Sequence, residues 1–405
     1  MLVFGVHEEN TLRQLAQVGE RAEKVALMAD GHVGYVMPIG GVAAYQDQIS
    51  VVGVGFDIAC GNAAIRTDLR LGDLGKNPGQ RSKTLTRLAD DIAHRVSFGV
   101  GRKNLADDAP VDDPLFDDPA WSALPARERP GLEHRARAQL GTVGSGNHYV
   151  DVFADENESL WVGVHFGSRG FGHSVASGFL ALGQGAAWGA RVPERETLLR
   201  LDTSLGQGYW HLMNLAGRYA YAGREWVARK VVDLLGGREL ELVHNHHNFA
   251  WRERHDGVEW IVVRKGATPA FPGQKGFVGG SMGDDAVIVQ GAATTDPTLA
   301  ELQRAALFST VHGAGRVMSR TQAAGKRNRR GKVLSPGRVS PEMMREWVAR
   351  KGVILRGGGL DESPHVYRRL PEVLRAQRGT VEVLHTLRPL VVVMAGADEF
   401  DPYKD

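Results

Sequence analysis

Three histidines, an aspartate and the chain's single cysteine stand at the ends of apolar runs, and these residue types together make a metal-binding set. Asp57 and Cys60 lie three apart in GVGFDIACGN, His148 follows Asn147 in GSGNHYVD, His165 opens the polar end of VHFGSRGFGH, and His247 lies in HNHHNFA. Taken singly, a thiol or a histidine at a strand end reads more readily as a core residue. Taken together, beside glycine turns that permit close backbone approach, they read as ligands converging from separate strands. A carboxylate, a thiolate and imidazoles are borderline-soft donors that suit zinc, manganese or iron, so residue types alone leave the metal open. In a strand, His244 and His246 share one face and His247 takes the other, so this segment supplies one ligand. His7, His94, His134, His211 and His255 lack such turns and are assigned to core or surface.

A different chemistry attaches to His312 in STVHGAGRVMSR. Gly313, Ala314 and Gly315 leave room for a phosphate to reach backbone amides, and Arg316 can neutralise its oxygens. An imidazole nitrogen placed there can attack phosphorus and form a phosphoramidate. The alternative is a helix N-terminus whose small residues serve packing, and spacing alone does not separate the two. A second phosphate or nucleotide cradle is expected at 279–283, GGSMG, with Arg264 and Lys265 upstream in VVRKGATPA. The chain contains no P-loop pattern.

Elements must carry these residues. SVVGVGFDI, SLWVGVHF, EWIVVRKGA, DAVIVQGAA and PLVVVMAG have the length and β-branching of strands. Helical spacing falls at about 10–28, 79–96, 176–190, 207–235, 298–309 and 341–351. The two are interleaved without regular βαβ alternation, which predicts an α+β fold rather than a doubly wound sheet. No repeat or linker divides the chain, so a single domain over 1–405 is expected, with 106–118 (ADDAPVDDPLFDD) as an exposed acidic loop and 397–405 as a tail. With 42% hydrophobic residues the chain can bury a substantial core. No apolar run approaches the roughly 18–20 residues of a membrane helix. The start, MLVFGVHEEN, lacks the order of a signal peptide, so a cytoplasmic protein is expected. One cysteine excludes an internal disulfide framework. A net charge of +2 argues against wholesale coating of nucleic acid and leaves room for a local basic face, such as 326–338, KRNRRGKVLSPGR.

In order and spacing, ADGHVGYVMPIGGV, GVGFDIACG, GSGNHYVD, HFGSRGFGH, HHNFA, RKGAT, GGSMG, HGAGR, DESPHVY and LRPLVVV resemble the RtcB RNA ligases over about 29–396. The resemblance implies an enzyme that joins an RNA 3′-phosphate or 2′,3′-cyclic phosphate end to a 5′-hydroxyl end, consuming GTP through a guanylated histidine. It also implies an unusual architecture in which helices surround a central β core. Carried over residue by residue, it makes Asp57, Cys60, His148, His165 and His247 the ligands of two manganese ions, with the cysteine sulfur shared. His312 becomes the histidine that takes GMP, with Asn147 beside it in the catalytic centre. Asn147, Tyr149, Asp151, Ser281, Gly283, Tyr367 and Met394 fall at positions of the guanylate pocket, together with Gly313, Ala314 and Gly315. Arg169, Arg264, Lys265 and Arg316 fall where basic groups meet phosphates of nucleotide or RNA.

Three positions depart from the family pattern. Asp151 replaces a glutamate, a glycine replaces the proline of the PGSMG pattern, and Met394 stands where a lysine contacts guanine. Losing a charged hydrogen bond of that kind costs about 1.5–3 kcal/mol of nucleotide affinity. Two alternatives stay open beside ligation: a metal-dependent phosphodiesterase, and a paralogue with altered or lost nucleotide use that binds RNA ends in repair. The expected partners are such RNA ends, GTP and a helper protein for turnover. The protein is expected to be a monomer away from membranes, with 326–338 facing RNA.

Overall fold

The computed structural model describes residues 1–327 and 333–396. The centre of the basic run, including Arg329 and Arg330, and the tail 397–405 with Lys404 lie outside the described residues. The fold is α+β, and its core is a strongly curled sheet. Along that sheet the strands run Lys275–Val278, Ala286–Gly291, Val381–Met394, Tyr149–Ala154, Ser159–Phe166, Gly61–Arg70 and Glu239–His246, with Ile354–Arg356 added parallel to the long strand Val381–Met394. Every other neighbouring pair is antiparallel.

Curling brings the first and last strands of this order together. One asparagine from each of the last two strands reaches the first: the Phe277 amide donates to Asn245 Oδ1 at 3.0 Å, and Asn62 Nδ2 donates to the Phe277 carbonyl at 2.8 Å. These bonds satisfy edge groups that a flat sheet leaves open. A second, five-stranded sheet orders as Leu2–Val3, Lys24–His32, Ile39–Tyr45, Val258–Lys265 and Asn248–His255. The chain passes from the curled sheet into this one at His247, the single residue between Glu239–His246 and Asn248–His255. The corner between the two sheets is therefore built around a candidate ligand.

Helices cover the outside. The 32-residue helix Ser204–Leu235 starts where Thr203 accepts from the Gly206 amide and stops at Gly236, which takes a left-handed φ of 73°. Its buried side, with Tyr209, Leu212, Met213 and Tyr219, packs with Phe171 and Phe179 of helix Arg169–Gly183 into the largest apolar cluster. Pro78–Arg95 lays Leu85, Leu88, Ala89 and Ile92 on the curled sheet.

Several elements differ from their sequence patterns. SVVGVGFDI is not a strand: Ser50 Oγ accepts from the Gly53 amide and caps a one-turn helix, Val51–Val54, whose four residues are all buried. Burial on every side, not β-pairing, explains that apolar run. The helix expected over 10–28 ends at Gly19 and gives way to strand Lys24–His32. The helix expected over 176–190 begins earlier, at Arg169. The acidic stretch 106–118 is only partly exposed: six of its thirteen residues are exposed, Leu115 and Phe116 are buried, and Asp113 and Asp118 cap two short 3₁₀ turns.

Arg264, expected to meet phosphate, belongs to the core instead. Its side chain has no solvent exposure, and it forks onto Glu253 at 2.6 and 3.1 Å while donating to Ser309 Oγ and the Leu307 carbonyl. Strand alternation explains the correction, because Arg264 faces away from its neighbour Lys265. Glu253→Gln would leave a buried guanidinium without its charge partner. Urea unfolding is expected to show a loss of about 3–5 kcal/mol, and a change below 1 kcal/mol would mean the pair is structurally idle.

Candidate metal and nucleotide centre

Four adjacent strands of the curled sheet bring their ends to one rim. Cys60 precedes Gly61–Arg70, His148 precedes Tyr149–Ala154, His165 lies near the end of Ser159–Phe166, and His247 follows Glu239–His246. Register locks them together, with Gly61 opposite both Phe166 and His246, and Tyr149 opposite His165. Antiparallel pairing puts starts and finishes on the same rim, which is why ligands so distant in sequence meet. Asp57 joins through a tight turn in which the Cys60 amide donates to the Asp57 carbonyl and Ala59 takes a left-handed φ of 61°.

Two overlapping triads result: Asp57, Cys60 and His148, and Cys60, His165 and His247, the donor atoms of each lying within 4.8 Å of one another. Cys60 Sγ is 3.6 Å from both His148 Nε2 and His165 Nε2, and His148 Nε2 is 3.1 Å from Asp57 Oδ2. The donor set fits a pair of cations sharing the sulfur. Because Asn62 donates through its amide to Phe277, its Oδ1 faces His165 Nδ1 at 2.6 Å, so that nitrogen carries the proton and Nε2 offers its lone pair. Burial, then neighbouring imidazoles, holds His165 and His247 well below the usual histidine range, so both are neutral donors. His247 Nδ1 is buried without a hydrogen-bond partner, a costly state that a bound cation relieves.

His244 and His246 point the other way, as alternation requires. They accept from Arg224 at 2.9 Å each and pack on Tyr221. Gly167 makes room for Asp57, since a Cβ there would sit 2.1 Å from Asp57 Oδ1. Gly167→Ala must turn that carboxylate aside. Metal titration should show affinity lower by roughly 10- to 100-fold, the effect of a displaced supporting group, and unchanged affinity would remove Asp57 from the ligand set.

His312 follows strand Ser309–Val311 in an irregular turn, so the helix-N-terminus reading does not hold. Its ring lies edge-on to His247, with centroids 4.8 Å apart. Asp30, which sequence reading left unassigned, has no solvent exposure and collects three donors on Oδ2: His312 Nδ1 at 2.6 Å and the His312 and Gly313 amides at 3.0 and 3.3 Å. A carboxylate on Nδ1 fixes the tautomer and leaves Nε2 free to attack. The ADGH motif quoted from the sequence contained this residue, but pairing across 282 positions has no local signature.

One cavity of about 1440 Å³ takes in the triads, His312 and most of the expected nucleotide positions. Tyr149 stacks on His165, and both its hydroxyl and Asp151 Oδ1 are buried without partners. Burial pushes the Asp151 carboxyl well above the usual carboxylate range, which favours its protonated, hydrogen-bond-donating form. Met394 also lines the cavity, packed with Met282 and Val392. Ser281 Oγ donates to Asp284 at 2.7 Å, whereas Gly283 lies outside the cavity, under the Trp347 ring. Arg316 is at the cavity but bound to Glu362, the Asp361 carbonyl and Tyr367. Arg169 reaches His148 Nδ1 at 3.5 Å.

Lys265 lines the cavity with its ammonium 3.1 Å from the Val52 carbonyl, and burial lowers its pKa to about 8. It is charged at neutral pH and loses that charge as pH rises through about 8. Pyrophosphate affinity, measured by calorimetry on metal-loaded protein from pH 7 to 9, should fall by roughly ten-fold in the native chain and far less in Lys265→Gln. Parallel pH profiles for the two would place the ammonium away from the anion.

A set of thiol, imidazole and carboxylate donors beside a carboxylate-oriented histidine has the parts of a metal-assisted phosphoryl-transfer centre. The chain belongs to the RtcB family: the family model described as tRNA-splicing ligase RtcB matches residues 11–395. It is 31% identical to the RNA-splicing ligase RtcB of Escherichia coli K12 over 91% of this chain and 89% of the relative. It is 30% identical to the tRNA-splicing ligase RtcB of Thermococcus kodakarensis (96% and 92%), and 31% identical to that of Archaeoglobus fulgidus (90% and 86%).

Proposed function

We propose that this chain is an RNA ligase that joins 3′-phosphate or 2′,3′-cyclic phosphate ends to 5′-hydroxyl ends in RNA repair or tRNA splicing, consuming GTP with His312 as the guanylate acceptor. The observation that carries the reading is the Asp30–His312 pair held against a ligand of the candidate metal pair. A metal-dependent hydrolase attacks with activated water and needs no histidine nucleophile.

The residues divide the work. Asp30 accepts from His312 Nδ1, so Nε2 presents its lone pair to the α-phosphorus of GTP. A P–N bond forms there while the bond to pyrophosphate breaks, and pyrophosphate leaves with the electron pair. The RNA 3′-phosphate then attacks the same phosphorus, which returns His312 to its free state. The 5′-hydroxyl, losing its proton, attacks the activated 3′-phosphate and displaces GMP. Asp57, Cys60, His148, His165 and His247 would hold two cations, assigned as manganese from the family resemblance, since the donor types by themselves suit zinc, manganese or iron. When bound, that pair neutralises phosphate oxygens and acts as a Lewis acid. Asn147, whose amide is 3.4 Å from His165 Nε2, stands in the catalytic centre beside the ligands, where its amide can meet the nucleotide. Tyr149, protonated Asp151 and Ser281 meet the guanine and ribose, and Lys265 and Arg169 meet phosphates.

Site residues run from Asp30 to Met394, so ligation belongs to one domain spanning the chain. Among the described residues no helix is long and apolar enough to cross a membrane. A lone cysteine required as a thiolate fits a reducing compartment, and we place the enzyme in the cytoplasm, acting as a monomer with a helper protein for turnover.

Incubation with α-labelled GTP and manganese, followed by denaturing separation, tests the reading. Acid-labile label is expected on the native chain and none on His312→Ala. Asp30→Asn should label about 10²- to 10⁴-fold more slowly, as a wrong tautomer dictates. Label on His312→Ala, or none on folded, metal-loaded native protein, overturns the assignment.

A further inference from the structure

Beyond the ligand set the cavity continues into a lobe whose aromatic residues the nucleotide reading does not use. Phe56, the residue before Asp57, lies edge-on to Tyr35, with ring centroids 6.2 Å apart, and tilted against His173 at 5.7 Å. The Lys265 ammonium stands 5.7 Å from the Tyr35 ring centre. All four residues line the same cavity as the candidate metal ligands. Tyr35 is 52% exposed and Val33 on the same rim is 46% exposed, which makes an open apolar lip directly above a buried cation.

An aromatic face with a cation behind it suits a nucleobase and its adjoining phosphate, since bases stack on such rings regardless of sequence. The position of the lobe selects between the two RNA ends. In-line phosphoryl transfer places attacking and leaving oxygens on opposite sides of phosphorus. The leaving GMP is assigned to the end of the centre marked by Tyr149, which stacks on His165. Asp57 belongs to the other triad, with His148, and is joined directly to Phe56.

We propose that the lobe of Tyr35, Phe56, His173 and Lys265 seats the first nucleobase of the RNA strand bearing the 5′-hydroxyl, with Tyr35 stacking on the base and Lys265 meeting the phosphate that follows it. This rests on the RNA-ligase reading and adds to it a binding site for one of the two strands.

The test uses short RNAs carrying 2-aminopurine, a fluorescent base quenched by stacking, added to metal-loaded full-length protein. One RNA has a 5′-hydroxyl and the probe as its 5′-terminal base. The other has a 3′-phosphate and the probe as its 3′-terminal base. The 5′ probe should be quenched on binding. Tyr35→Phe should keep the quench, and Tyr35→Ala should lose it while weakening binding of the 5′-hydroxyl RNA by roughly ten-fold, the effect expected of one base–aromatic stack. Quenching of the 3′ probe alone, of neither probe, or of the 5′ probe equally in Tyr35→Ala overturns the proposal. Quenching is read without catalysis, so a native chain that takes no label from GTP but shows the Tyr35-dependent 5′ signal fails only the guanylate assignment. A chain that takes label but shows no such signal fails only the strand assignment.

Discussion

A guanidinium with no contact with solvent holds the centre together. Arg224, two-thirds of the way along helix Ser204–Leu235, donates to the carbonyls of Ala59 and Phe166 and to the imidazoles of His244 and His246. Those partners adjoin Cys60, His165 and His247, so one side chain from one helix ties down three strand ends. Burial lowers its pKa to about 10, still far above neutral, so it remains a cation beneath a site that gathers the Cys60 sulfur and the Asp57 carboxylate. An arginine can do this because five donors in a rigid fork reach several acceptors at once, whereas a lysine is a point charge on a flexible stem.

The rest of the rim follows from that constraint. Strand ends this close leave no space for side chains on their inner faces, and a Cβ at Gly61 would lie 2.2 Å from the Asn245 carbonyl. Asn62 and Asn245 then serve twice, sealing the curled sheet at Phe277 while Asn62 also aims the His165 ring. Sheet closure and ligand orientation are thus one hydrogen-bond network. Buried networks of this kind fix a unique arrangement only when each member is satisfied. Among the described residues, His247, Tyr149 and Asp151 each carry an unsatisfied buried polar atom and line the cavity where ligands are proposed to bind, and Asp30 Oδ1, behind His312, is unsatisfied as well.

The sequence made the ligand set legible because Asp57, Cys60, His148, His165 and His247 sit in turn-rich motifs whose donor chemistry stands out from their apolar flanks. Alternation correctly separated His247 from His244 and His246. What it did not reveal are residues whose importance is relational. Asp30 and Arg224 look like an ordinary strand aspartate and helix arginine until the fold pairs them with His312 and the ligand carbonyls. Arg264 failed for the complementary reason: a basic residue beside a glycine turn reads as a phosphate contact, but its strand phase turns it toward Glu253. The run SVVGVGFDI failed because complete burial erases the periodicity that separates strand from helix.

The cavity also changes how Met394 is read. A lysine at that position would have to carry its charge among Met282, Val348, Val353 and Val392, where desolvation is expensive unless a bound base repays it. With methionine, that wall becomes continuous apolar surface suited to the face of a purine but silent about its edge. Discrimination of guanine then falls to polar atoms on the same strand pair, where Asp151 lies opposite Val392 and Tyr149 opposite Met394. Protonated Asp151 both donates and accepts, so a neutral carboxyl can replace an ammonium as the group that reads the base. Under the proposed ligase reading, base selection is assigned not to a charge on the last strand but to a hydrogen-bonding acid on its neighbour, Asp151, two residues from the tyrosine that stacks on His165.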